Sequence, residues 1–283
     1  MLTAKQEKEY KIFATKIRIE VVRALGTLGF GHIGGSMSIA DAVAVLYGGV
    51  MNIDPKNPHM PSRDWLVCSK GHAGPAIYAA LGLKGYFPVD DILTINTPGT
   101  HFPSHCDRNL TTGIDMTTGS LGQGSSAAVG IALGNRLNGF DSYTYLILGD
   151  GESQEGQVWE AASYAAQQKL SHLITFIDCN GQQLDGYTKD VNDTRDMAAK
   201  FDSFGWFAQT IDGGDVAQIY NAVERAKLSP GDRPCAIVLK TVKGRGVSFA
   251  EGIKNNHHMQ ISREQMESAL AQLNNELAKE GGK

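Results

Sequence analysis

Two periods of hydrophobic and polar positions alternate along the chain. Residues 5–25 set Ile12, Ile17, Val21 and Leu25 near helical spacing among charged neighbours, which predicts an amphipathic helix. A second helix is predicted from Ser38, with Asp41 in its first turn and Ala42, Val45 and Leu46 facing inward. Short apolar runs then recur at Asp64 to Cys68, Tyr143 to Leu148, Leu173 to Ile177, Trp206 to Ile211 and Cys235 to Val242. Such runs, bounded by glycine, serine and aspartate, read as buried strands. Between them stand helical patterns at Gly124 to Asn138, Thr194 to Phe204 and Asp215 to Leu228, with one more between Gly151 and Leu173. Ser262 caps a final amphipathic helix ending near residue 280. Strands alternating with helices predict a doubly wound, mostly parallel α/β sheet with helices on both faces. With no repeat, low-complexity tract or linker, residues 1–283 are expected to form one domain, with Trp159 and Trp206 in its core.

The chemistry concentrates where strands end. Parallel neighbouring strands need a crossover, so Asp150 and Asn180 both fall at carboxyl ends, where open α/β sheets bind ligands. A carboxylate, an amide carbonyl and a nearby backbone carbonyl make the all-oxygen set that a hard divalent cation prefers. Gly149 and Gly151 let the backbone approach a diphosphate, and the following helix directs its amino end the same way. The residues thus predict a metal–diphosphate site.

Glycine-rich loops also carry histidine. His32 lies in a loop spanning residues 26–38, and His72 directly follows a strand in Ser69-Lys70-Gly71-His72. Residues 96–122 lack periodicity, and a loop this long in a compact chain is usually functional. It holds His101, His105 and Cys106. Their spacing allows zinc on paper, but Pro103 disfavours the helix that would bring both imidazoles to one face. A Cys106–His105 nucleophilic pair is disfavoured because adjacent residues rarely face each other. Lys243-Gly244-Arg245-Gly246 reads equally as a solvated turn or as an attraction for a diphosphate.

Glycine numbers 33 of 283, well above the usual roughly 7%, and the excess sits in these loops. A net charge of −4 gives no nucleic-acid footprint. No apolar run approaches the roughly 20 residues of a membrane span and the amino terminus lacks a signal-peptide core, so a cytoplasmic location is expected. The four cysteines, Cys68, Cys106, Cys179 and Cys235, lack metal-pair spacing and read as reduced thiols.

Asp150 and Asn180 resemble the thiamine diphosphate motif, in which Gly-Asp-Gly is followed about thirty residues later by asparagine. A bare Gly-Asp-Gly is equally an ordinary strand–helix turn; the full pattern is specific. Four ordered motifs extend the likeness: Gly31 to Gly35, Lys70 to Ala73, Thr117 to Gly124 and Gly149 to Gly156. From about residue 10 to the last helix the chain resembles the amino-terminal, diphosphate-binding half of transketolase. The resemblance implies thiamine diphosphate and Mg2+, or Ca2+ or Mn2+, as cofactors, with Asp150, Asn180 and the main-chain carbonyl of Gln182 as metal ligands. It places His32, His72, His105 and His257 around the reactive carbon and the donor sugar, with pKa values near neutrality suited to moving protons. His258 is the alternative to His257. Gly151 and His72 would touch the diphosphate, Gly149 and His257 would also contact the cofactor, and Gly119 and Leu121 would lie along the aminopyrimidine. Glu155 and Glu160 would stand at a subunit interface, Glu155 close enough to count among the cofactor contacts.

The resemblance further implies a partner. The pyrimidine-binding domain and its activating glutamate lie beyond the matched half, so a C-terminal transketolase subunit is expected, in an α2β2 complex. The expected reaction moves a two-carbon ketol unit from a ketose phosphate such as xylulose 5-phosphate to an aldose phosphate. Thr100 to Cys106 departs from the family's Gly-His-Pro, which lies near the donor sugar, so a branched or sulfonated ketose is the alternative donor. The competing readings are one component of a related thiamine synthase or decarboxylase, and a noncatalytic cofactor-binding subunit.

Overall fold

A computed structural model describes residues 2–228 and 231–281. Five parallel strands form the central sheet: β1 (Trp65–Cys68), β2 (Thr144–Gly149), β3 (Leu173–Cys179), β4 (Phe207–Asp212) and β5 (Cys235–Lys240). Their spatial order is β1-β2-β3-β5-β4, with Thr144 opposite Leu173 and Gly149 opposite Asp178. Because side chains alternate across a strand, Tyr145 and Ile147 enter one apolar layer while Leu146 and Leu148 enter the other. Helices therefore cover both faces, and the strands read as continuous apolar runs rather than as alternating ones.

The larger layer is built from α1 (Ala4–Leu28), α2 (Ile33–Met37), α3 (Ala40–Val45) and α4 (Gly74–Lys84). The smaller one uses α5 (Gln123–Leu137), α6 (Gly156–Gln167) and α7 (Met197–Ser203). Two further helices, α8 (Val216–Lys227) and α9 (Arg263–Lys279), return to the larger layer, where α9 packs along α1. Reciprocal capping boxes start the first and last helices, Thr3 with Gln6 and Ser262 with Gln265. The chain ends meet again where Phe30–Gly31 pairs antiparallel with Met259–Gln260. Beneath this ladder Arg18 clasps Asp41 through both terminal nitrogens, at 2.5 and 3.3 Å, and its Nε donates to the Arg245 carbonyl.

Two expectations are corrected here. The helix expected from Ser38 begins at Ala40, with Asp41 in its first turn, after a separate helix at Ile33–Met37, and the Ser38 hydroxyl is taken up by Asp178. Trp206 is buried with its indole N–H on the Ala162 carbonyl, whereas Trp159 is only half-buried and stacks on Phe204.

Candidate active site

The carboxyl ends of β2, β3 and β5 meet in a polar cluster. Asp150, the residue after β2, is 3% exposed; its two oxygens accept the Gly151 and Gly181 amides at 2.8 and 2.7 Å. Asn180, just past β3, accepts the Gln182 amide through Oδ1 and donates through Nδ2 to Asp178 at 2.8 Å. Asp178 is fully buried and also accepts from Lys70 Nζ (2.6 Å), Ser38 Oγ (2.6 Å) and Thr241 Oγ1 (2.5 Å). By holding the amide nitrogen, it fixes which end of Asn180 offers oxygen. Glu152 plays a similar part, accepting from Ser69 Oγ and from the Gly122 and Gly149 amides, which ties two glycine loops together.

Electrostatics separates the two aspartates. Burial pushes Asp178 up, but the Lys70 ammonium and the hydroxyl hydrogen bonds outweigh it and hold the carboxyl below its ordinary value. Asp150 is pushed up to about 6 by burial and by Asp178, against the two amides that stabilise its charge. Among the described residues it has no cation partner, since Lys70 is committed to Asp178. A buried carboxylate without a counter-charge is costly, and a divalent cation would supply one. No group of three or more His, Cys, Asp and Glu among the described residues could hold a metal. Neutral oxygens would have to complete the shell, and Asn180 Oδ1 and nearby backbone carbonyls are such donors. The residues therefore fit the implied metal.

The other half of the site is made of imidazoles. The His32 ring lies 5.7 Å from that of His72, 5.2 Å from His105, 5.4 Å from His257 and 4.6 Å from His258. His72 and His257 are 4.5 Å apart. Few hydrogen bonds reach these rings: Ser104 Oγ lies 3.3 Å from His32 Nδ1, and Lys243 Nζ lies 3.3 Å from His257 Nδ1. Burial and neighbouring charges lower His32 to about 4 and His257 to about 3. His72 is held well below its ordinary value by burial and by Lys70, and His105 is lowered by burial. The expected near-neutral titration is thus not met for these four, because burial disfavours the added proton and, at His32, His72 and His257, neighbouring imidazoles and lysines add to it. At neutral pH His32, His72, His105 and His257 are uncharged.

A cavity of ≈ 300 Å³ joins the halves, with Asp150, Gly151, Asn180, Gln182, His72 and His257 all in its wall. Gly149, Leu121 and Glu155 line it too, whereas His258 is an exposed ring tilted against Phe30. Gly119, at φ +146°, brings its backbone against His105 in a conformation that side chains rarely adopt. Glu160 is exposed in an outer groove beside Trp159 and Tyr164. His101 is exposed and lies outside the cluster. Cys106 is buried, its thiol against Gly74 and away from the rings, which removes the pairing with His105.

Lys243 settles the reading of its turn: the side chain is 2% exposed and lines the cavity, so the turn is not simply solvated. Sequence reasoning missed Lys70, Asp178, Ser104 and Glu152. Asp178 stands two residues before the motif asparagine and Lys70 two before the motif histidine, and these positions are the available signal.

The family model described as the transketolase thiamine diphosphate binding domain matches residues 10–279. The chain belongs to the transketolase family, as its amino-terminal, thiamine diphosphate-binding part, and is a transketolase-type transferase. It is 50% identical to the 6-deoxy-6-sulfo-D-fructose transketolase subunit SqwG of Clostridium sp. (strain MSTE9), over 96% of this chain and 99% of that one. With an apulose-4-phosphate transketolase subunit of Actinobacillus succinogenes it shares 36% identity over 95% and 97% of the two lengths. A solved transketolase from Pichia stipitis, in complex with sedoheptulose 7-phosphate, superposes with a TM-score of 0.86 at 30% identity. That match covers 97% of this chain and 44% of the other, so the chain spans less than half the length of that structure.

Proposed function

We propose that this chain is the amino-terminal subunit of a two-component transketolase that takes a two-carbon ketol unit from a modified, sulfonated ketose. The 50% identity to a sulfofructose transketolase subunit, over nearly the full length of both chains, carries this reading. The departure of Thr100 to Cys106 from the family's usual loop agrees with it, and both favour a modified ketose over xylulose 5-phosphate. The remainder of the active site would come from a C-terminal transketolase subunit, in an α2β2 complex in the cytoplasm. Support for this comes from the relatives named as subunits, which this chain matches over 99% and 97% of their lengths.

Asp150, Asn180 and the Gln182 carbonyl would hold Mg2+, with Ca2+ or Mn2+ as substitutes, and Gly149, Gly151 and His72 would receive the diphosphate. Gly119 and Leu121 would border the aminopyrimidine, with Glu155 at its edge and Glu160 toward the partner. When bound, thiamine diphosphate supplies the electron sink for cleaving the bond beside the ketose carbonyl. His32, His72, His105 and His257 would bind the sugar hydroxyls. As neutral rings each offers one donor and one acceptor, so they orient hydroxyls and pass protons along hydrogen bonds rather than acting as strong acids. The apolar edges of Leu121 and Leu184 would be covered by the partner, excluding water.

Mixing the chain with its partner, thiamine diphosphate and Mg2+ tests this reading. Ketol transfer is expected only from the mixture, with 6-deoxy-6-sulfofructose favoured over xylulose 5-phosphate by at least about tenfold in kcat/KM. Full activity from this chain alone would overturn the two-chain assignment, and a preference for xylulose 5-phosphate would overturn the donor.

A further inference from the structure

We propose that Lys243 is a positioning residue that fixes His257 as its Nε2–H tautomer, so that the ring meets the cavity as a hydrogen-bond donor. This rests on the reading above that His257 faces the reacting molecules. An ammonium has three donors and no acceptor. With Lys243 Nζ 3.3 Å from Nδ1, that ring nitrogen must present its lone pair. A neutral imidazole carries its single proton on the other nitrogen.

Three further observations support the assignment. Lys243 is 2% exposed and pairs with no carboxylate among the described residues, so the imidazole lone pair is the acceptor within its reach. Burial and Lys70 lower the lysine to about 8, which still leaves it mostly charged at neutral pH. That charge and burial keep the facing ring unprotonated. The two backbones are also tied together. Asn256, the residue before His257, donates through Nδ2 to the Lys243 and Ala250 carbonyls at 3.0 and 2.6 Å. Gly34 and Gly244 continue the brace, for the Gly34 amide donates to the Asn256 carbonyl and the Gly244 amide to the Gly34 carbonyl. His32 differs, because the Ser104 hydroxyl can donate or accept and leaves that ring free to exchange tautomers.

A donor-only ring suits an oxygen that gains negative charge during reaction, and it cannot remove a proton through Nδ1. The test is nitrogen-15 NMR of the histidine-labelled protein, comparing the native chain with Lys243→Met and Lys243→Arg, followed by kinetics of the reconstituted complex. The native His257 signals are expected to show a pure Nε2–H form, and Lys243→Met a mixture of tautomers. With Lys243→Met, kcat should fall about tenfold while KM changes less than about twofold, and Lys243→Arg should restore much of the loss. An Nδ1–H pattern in the native protein overturns the proposal and needs no variant. An unchanged pattern in Lys243→Met overturns it as well. His257→Ala separates the two claims: full activity there refutes the placement of His257 at the reaction and leaves the tautomer result standing.

Discussion

The two halves of the cavity are stabilised in opposite ways. On the metal side, Asp178 and Glu152 together accept seven hydrogen bonds from side chains and amides, and Asp150 two more. On the imidazole side, four rings crowd around His32, each within 6 Å of it, and among the described residues two side-chain hydrogen-bond contacts reach the ring nitrogens. A saturated network has one arrangement and suits an anchor, since any movement strands a buried polar group. Unpaired imidazole nitrogens are the reverse: they are held in place by packing and left open for a ligand. Anchoring and reaction are thus separated across a few ångströms of sheet edge.

Breaking the anchor should cost most. Asp178→Asn would leave the Lys70 ammonium buried without its counter-charge, and a loss of about 3–5 kcal/mol is expected in urea unfolding. Pairing it with Lys70→Met should recover a large part, and an additive loss would show that the network is not coupled. On the imidazole side the effect should move from stability to rate. His72→Ala is expected to change unfolding free energy by less than about 1 kcal/mol, because no hydrogen bond is lost, yet to lower kcat/KM of the complex about 100-fold. A stability loss matching that of Asp178→Asn would erase the distinction.

The gentlest probe is pH. His32, His72 and His257 take up protons far below the roughly 6.5 of an unfolded chain, so between about 6.5 and 4 the unfolded state binds more protons. Stability present above pH 6.5 is therefore lost as pH falls through that window. Asp150, raised to about 6, and Glu20, Asp64, Asp115 and Glu152, each raised by burial, take up protons more readily in the folded state and offset part of this loss. A lower urea midpoint at pH 5 than at pH 7 is expected, and a flat or rising midpoint would contradict the ring environments described.

The sheet was readable because both faces are covered, which leaves strands as bare apolar runs that glycine and aspartate terminate. Asp150, Asn180 and His72 were readable for the same reason: each stands just past a strand end. Lys70 and Asp178 were not, because their pairing joins residues 108 apart and no local pattern encodes it. Ser38 looked like the start of a helix because a helix start and a distant acceptor favour the same hydroxyl. The lowered histidine pKa values follow from crowding among loops separated by up to 226 residues, a quantity absent from any one loop.

The antiparallel ladder between Phe30–Gly31 and Met259–Gln260, with α1 lying along α9, has a consequence for how the protein is made. At roughly 5–20 residues per second, α1 waits about 12–50 s for the later segment it docks against. Through that interval the apolar side of α1 has no α9 to cover it, and His32, a few residues further on, has no His257. The reactive cluster therefore cannot close until His257 has been made, which keeps a chain that stops short of it from holding the full set of rings.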